Sequence, residues 1–166
     1  MMQLITFPNQ VLKQKAEHWN FEKDTGAEVL EVDMVQLMVE SKGIGLAANQ
    51  VGLLKRVFAI HLKGQVPFCM FNPYILYGDN NMVEDEEGCL SFPDLFFKVP
   101  RHKNITAGYV DRQGNKRIIE LSGIDARCFQ HELDHLDGVC YTEYISPLKL
   151  ALAIKKQRKK RNGRTK

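Results

Sequence analysis

The run Gln130-His131-Glu132-Leu133-Asp134-His135 constrains this chain more than any other, because it sets two imidazoles and a carboxylate in an HExxH pattern. At 3.6 residues per turn, His131 and His135 fall about one turn apart on one helical face, where both rings reach a single cation. Glu132 stands beside them, placed to take a proton from water at that cation. The plain alternative is a surface helix carrying two of the chain's five histidines by accident. The helix is expected to begin between Ser122 and Ile124 and to stop at Gly138, a residue suited to a helix C-terminus. Its apolar side, Ile124, Cys128, Phe129 and Leu136, is expected to pack under strands.

The third ligand decides the chemical class. The extended protease pattern HExxHxxGxxH is met at Gly138, but its third histidine position holds Tyr141. A carboxylate from a later helix is excluded as well, since the acids after His135 are only Asp137 and Glu143, too close to belong to one. An upstream ligand is therefore expected, from Cys69, Cys89, Cys128 or an acidic side chain, with Cys140 a weaker candidate. Cys128 shares the face of His131 and His135. Three ligands on successive turns, however, span roughly 10 Å of axis, too far for bonds of about 2.0–2.3 Å to one ion. Cys128 reads better as helix core. Cys89, between Gly88 and Leu90, is expected on a flexible loop able to bring a thiolate to the ion from outside the helix.

Three motifs in order carry a resemblance. Gly43-Ile44-Gly45-Leu46-Ala47-Ala48-Asn49-Gln50 fits GxGxAAxQ, Glu87-Gly88-Cys89-Leu90-Ser91 fits EGCLS, and Gln130 to Gly138 fits QHExDHLxG. With all three at familiar separations over almost the whole chain, the sequence resembles peptide deformylases, which remove the formyl group from the initiator methionine of nascent chains.

Length and patterning agree with one catalytic body. A chain of 166 residues, 44% hydrophobic, can bury one core and is too short for two large domains. Residues Gly26 to Lys42 carry Leu30, Met34, Leu37 and Met38 on a helical stripe that Gly43 ends. Strands are expected at Arg56 to Leu62, Val66 to Phe71, Asn104 to Asp111 and Lys116 to Leu121, the last two joined by a turn over Asp111 to Asn115. The fold class is α+β, with antiparallel β-strands around a central HExxH helix, an N-terminal helix and a C-terminal helix. Residues 1–146 form the catalytic domain, and 147–166 a C-terminal helix with a basic tail. No stretch approaches the roughly 18 apolar residues of a membrane span, and the first residues lack a signal peptide's basic start. Four cysteines without paired spacing fit reduced thiols. The compartment expected is the cytoplasm, with an organelle stroma or matrix, or the cytoplasm of a phage-infected host, left open.

The resemblance implies the chemistry. One divalent metal would be bound by Cys89, His131 and His135, iron(II) in the cell, with zinc, nickel or cobalt as substitutes. Glu132 would act as general base and then general acid, and the Leu90 N–H and Gln50 side-chain amide would stabilise charge on the formyl oxygen. Gly43, Ile44 and Gly45 would bind the substrate backbone as an added strand, and Ile124 and Cys128 would line the methionine pocket with His131 at its edge. Glu87 would brace the motif or pair with Arg101. Asp85 and Arg127 stand where some relatives carry apolar side chains and are expected to point outward at the pocket rim. Phe96 stands where some bacterial relatives have an arginine, which implies an apolar preference downstream of formyl-methionine.

The end of the chain is distinctive. Eight of its 23 basic residues lie from Lys155 to Lys166, leaving the first 154 residues with 15 against 20 acidic ones. Leu148, Leu150, Leu152, Ala153 and Ile154 suggest a helix from about Pro147 that docks on the body before the tail enters solvent. Such a run is often only a solubilising face. Beside a nascent-chain substrate it is expected to meet the phosphates of ribosomal RNA; neither membrane nor DNA is expected as a partner. Two rival readings are a zinc endopeptidase, against which the missing third histidine counts, and a noncatalytic RNA-binding module with a structural metal, which would normally show four protein ligands.

Overall fold

The computed structural model describes the backbone of residues 2–163 and the side chains of residues 2–159. The end of the basic tail, including Lys160, Arg161, Arg164 and Lys166, and Met1 lie outside the described side chains. Among the described residues three α-helices, α1 (Ala27–Glu40), α2 (Gly123–Leu136) and α3 (Pro147–Gly163), accompany seven strands. These are β1 (Gly45–Ala47), β2 (Val57–Ile60), β3 (Phe68–Gly78), β4 (Met82–Cys89), β5 (Phe92–His102), β6 (Asn104–Val110) and β7 (Lys116–Ser122). Every pairing between them is antiparallel: one sheet runs β1-β2-β3-β6-β7, and β4 with β5 forms a second, two-stranded sheet. The α+β class is as expected.

The sequence Val57-Phe58-Ala59-Ile60 is apolar at every position because β2 is covered on both faces. Phe58 and Ile60 meet α2, in a cluster with Met70, Ile105, Leu121, Ala126, Phe129 and Leu136. Val57 and Ala59 meet Met34 and Met38 of α1 on the opposite face. Both methionines are fully buried, and each such side chain contributes about 1.5–3 kcal/mol through burial. The stripe expected on α1 is therefore core. Its end differs in detail: Lys42, not Gly43, takes the left-handed conformation (φ 59°), while the Gly43 N–H donates to Met38 O at 2.9 Å. The turn between β6 and β7 forms as expected, with Asp111 Oδ1 accepting from the N–H groups of Gln113 and Asn115 at 3.1 and 2.9 Å.

Helix α2 contacts strands of both sheets and divides its surface accordingly. Ala126, Phe129 and Leu136 face the larger sheet, where the Phe58 and Phe129 rings meet edge to face at 5.2 Å. Ile124, expected in that set, is instead 56% exposed at the cavity described below. Arg127, Gln130, His131 and Asp134, spaced three, four and seven apart, form a second stripe that meets β4 and β5. The helix stops at Gly138, whose φ of +77° and close approach to Lys13 O leave no room for a side chain.

Strands β4 and β5 were not expected from the sequence, nor was the short β1, and Val66 lies outside β3, which instead continues to Gly78. Cys89 accordingly ends a strand rather than riding on a loop. Strand alternation sets Leu95, Phe97, Val99 and Arg101 inward along β5, and a register shift between Gly88 and Cys89 pairs Cys89 with the buried Phe92. Against that face pack Leu12, Tyr141 and Ile145, with Leu150, Ala153 and Ile154 of α3. Leu148 and Leu152 stay largely exposed, so α3 docks by only part of its expected apolar set. No helix among the described residues is long and apolar enough to cross a membrane.

Candidate metal centre

Two elements bring three donors together. Cys89 comes from the end of β4, and His131 and His135 from α2; their ligand atoms lie within 4.8 Å of one another. Cys89 Sγ is 3.2 Å from His135 Nε2. The other cysteines stand elsewhere or otherwise engaged: Cys69 packs under α1, Cys140 faces Leu12 O, and Cys128 donates to Ile44 O at 3.4 Å. A thiolate with two imidazoles suits a divalent ion of intermediate softness, and the fourth direction carries no protein ligand among the described residues.

The imidazoles are held by their outer partners. His131 Nδ1 is 2.9 Å from Glu87 Oε2, which fixes that nitrogen as donor and turns Nε2 toward Cys89. Glu87 is buried and receives three further bonds: Arg101 Nε at 2.9 Å and Nη2 at 3.1 Å, and Arg127 Nη1 at 2.8 Å. Burial alone would raise its pKa, but His131 and Arg101 outweigh that and hold it down to about 2. Burial alone would lower the His131 pKa, yet Cys89 and Glu87 hold it up to about 10, so the field at this ring favours positive charge. His135, buried next to His131, is driven well below its usual range. A cluster that attracts one cation between a sulfur and two imidazoles fits a bound metal ion.

Glu132 projects from α2 beside the donors. Its Oε2 is buried without a hydrogen-bond partner among the described residues, and burial foremost, with Glu87 adding, pushes its pKa up to about 7 against the pull of His131. The carboxylate approaches β1 so closely that a Cβ on Gly45 would lie 2.2 Å from Oε1. Gln50 is fully buried: its Oε1 accepts from the Ala47 N–H at 2.8 Å, which turns Nε2 toward Cys89 Sγ at 3.4 Å and Ser91 Oγ at 3.0 Å. Its amide orientation is thus set by a donor that cannot accept.

A cleft of about 410 Å³ opens on these groups, lined by Gly43, Ile44, Gly45, Gln50, Leu90, Phe96, Ile124, Cys128, His131 and Glu132 among others. The residues expected to bind metal, transfer protons, stabilise the oxyanion or hold substrate all line this cleft, apart from the buried His135. One expectation fails in direction. Arg127 does not point outward: it is buried, donating to Glu87 and to the carbonyls of Val99 at 2.7 Å and Val83 at 2.6 Å. Asp85 is exposed as expected and offers only its backbone carbonyl, 3.4 Å from Arg127 Nη1. Sequence reasoning also missed Ser91, which links Gln50 to Ile5 O at 2.7 Å, and Asn49, whose amide donates to the His135 carbonyl. It missed Asp134 too, 2.5 Å from Arg101 Nη1. The helical spacing of Arg127, Gln130, His131 and Asp134 was the available signal for a polar face.

Known proteins share this arrangement of sequence and fold. A family model described as Polypeptide deformylase matches residues 1–151. The chain is 37% identical to the peptide deformylase of Bartonella tribocorum, over 96% of this chain and 93% of that one. It is 39% identical to that of Agrobacterium fabrum, over 92% of each. Its fold is similar to the crystal structure of a peptide deformylase from Legionella pneumophila, with a TM-score of 0.89 and 30% identity over 100% of this chain and 98% of that one. It is also similar to the enzyme from Synechococcus elongatus in complex with actinonin, with a TM-score of 0.86 and 32% identity over 94% and 87%. The chain belongs to the polypeptide deformylase family.

Proposed function

We propose that this protein hydrolyses the N-formyl group of the initiator methionine of nascent polypeptides, releasing formate and a free α-amine. The observation that carries the reading is the meeting of Cys89, His131 and His135 with the Gln50 amide and a Glu132 carboxylate whose Oε2 has no hydrogen-bond partner among the described residues, at one end of an apolar-walled cleft.

Cys89, His131 and His135 would hold one divalent ion, iron(II) in the cell and replaceable by zinc, nickel or cobalt. Such an ion supplies a Lewis acid that acidifies water and polarises a carbonyl. The remaining work belongs to the chain's own side chains. Glu132 accepts the proton of the attacking water and delivers it to the amine nitrogen as the C–N bond breaks. Gln50 Nε2 and the Leu90 N–H donate to the formyl oxygen as negative charge gathers there; one such donor typically contributes about 3–4 kcal/mol.

Substrate alignment follows from β1. It is the edge strand of its sheet, and Gly43, Ile44 and Gly45 line the cleft, so an extended peptide can pair with this segment while its methionine side chain enters between Ile44, Ile124 and Cys128. Residues 1–146 carry this catalytic body. The exposed Lys155, Lys156, Arg158 and Lys159 on α3 would meet ribosomal RNA, in keeping with a reaction beside translation in the cytoplasm. The test is selectivity: formyl-Met-Ala-Ser should yield formate and free Met-Ala-Ser, while acetyl-Met-Ala-Ser and casein stay intact. Internal cleavage of casein would replace this reading with an endopeptidase.

A further inference from the structure

Among the described residues the two-stranded sheet that carries Cys89 pairs with no strand of the larger sheet, so side chains seat it on the metal helix. Four residues of α2 do so. Asp134 binds Arg101, and Gln130 brackets the His102 backbone, accepting from its N–H and donating to its carbonyl, both at 3.0 Å. His131 binds Glu87, and Arg127 binds Glu87, Val83 O and Val99 O at once. Arg127 is the only one of the four that reaches both strands of the hairpin and the buried carboxylate behind His131.

We infer that Arg127 is a positioning residue of the metal centre, acting through Glu87 and the β4–β5 hairpin to set the Cys89 thiolate against the two imidazoles. This rests on the metal assignment above. Three facts converge on it. The guanidinium fork satisfies the Val83 and Val99 carbonyls, which nothing smaller than arginine could bridge together with Glu87. It shares Glu87 Oε1 with Arg101, so the carboxylate cannot turn away from His131 without breaking bonds to two cations. Cys89 stands two residues beyond Glu87, about 7 Å along the strand, so a small tilt of the hairpin moves the sulfur directly. The same side chain lines the cleft, which couples hairpin position to the substrate wall.

The test uses the full chain, stripped of metal and reloaded with cobalt(II), as parent, Arg127→Ile and Arg127→Lys. The readouts are the thiolate-to-cobalt charge-transfer band, cobalt affinity by chelator competition, and Tm. Arg127→Ile should weaken cobalt binding about 10–100-fold and shift or dim the band, the usual effect of losing a ligand's outer partner. Arg127→Lys, which keeps the charge but has one nitrogen where the guanidinium uses Nη1 for Glu87 and Val99 and Nη2 for Val83, should fold and recover only part of both, and it carries the test if Arg127→Ile does not fold. A lowered Tm with unchanged band and affinity in either variant would make Arg127 a structural brace only, and full recovery by lysine would overturn the bridging role. Absence of the band in the folded parent would overturn the metal assignment itself.

Discussion

Glu87 and His131, 44 positions apart in sequence, face each other across the seam between β4 and α2 with 2.9 Å from Oε2 to Nδ1. The contact joins the metal helix to the strand that ends in Cys89, and two guanidinium groups anchor its acidic partner. A metal-ligating ring needs such an acceptor to fix its tautomer, and a buried carboxylate needs such donors to stay ionised.

Replacing Glu87 with alanine is accordingly expected to harm both stability and metal content. It leaves Arg101 and Arg127 buried without their shared anion, a loss of about 3–5 kcal/mol by analogy with other broken buried pairs. Thermal denaturation together with metal analysis of the purified variant checks this; an unchanged Tm with full metal occupancy would contradict it.

For Gln50→Ala the expectation is a catalytic defect with the centre intact. The side chain ends beside Cys89 Sγ without being one of the three donors, so metal content should hold while kcat falls about 10²–10³-fold. Steady-state kinetics at matched metal content separates this from a loss carried mainly by KM.

At position 45 the constraint is space. An added methyl would lie 2.2 Å from Glu132 Oε1 and 2.8 Å from Cys128 Sγ, so Gly45→Ala must displace the proton-transfer carboxylate. Activity should drop at least tenfold while circular dichroism stays that of the parent. A fully active Gly45→Ala protein would mean that β1 and α2 separate more easily than their packing implies.

Much of this was legible in the sequence, for identifiable reasons. Helix α2 announced itself through the spacing of His131 and His135 and the stop at Gly138, and β6 and β7 through alternation around the Asp111 turn. Strand β4 did not, because Glu84, Asp85 and Glu86 are exposed and the one inward side chain before Cys89 is the acidic Glu87; its buried face is polar, where pattern reading looks for apolar residues. Arg127 was misread for a related reason. A charge on a helix usually faces water, and the partners that reverse this, Val83, Glu87 and Val99, lie 28 to 44 positions away.

Phe96 provides a specificity test. It is 61% exposed, pairs with Gly88 across the hairpin and lines the cleft, so it offers an apolar surface to the residues that follow methionine. Formylated peptides with apolar residues there should react faster than those with acidic ones, and Phe96→Arg should reverse the order. Equal kcat/KM across such a peptide set would remove Phe96 from substrate selection.

The basic face of α3 can be tested without undocking the helix. Leu150, Ala153 and Ile154 pack on the body, whereas Lys155, Lys156, Arg158 and Lys159 are exposed. Changing these four to glutamine should leave peptide deformylation intact and weaken ribosome co-sedimentation, with a shallower dependence on salt. Undiminished co-sedimentation would remove this face from ribosome binding.

The most direct test of the central claim is formate release from formyl-Met-Ala-Ser by anaerobically iron(II)- or nickel-loaded protein, run beside Glu132→Gln with equal metal content. The account predicts rapid release by the parent and a loss of several orders of magnitude in the variant. Equal rates in the two proteins, or no release by folded, metal-loaded parent, would contradict it.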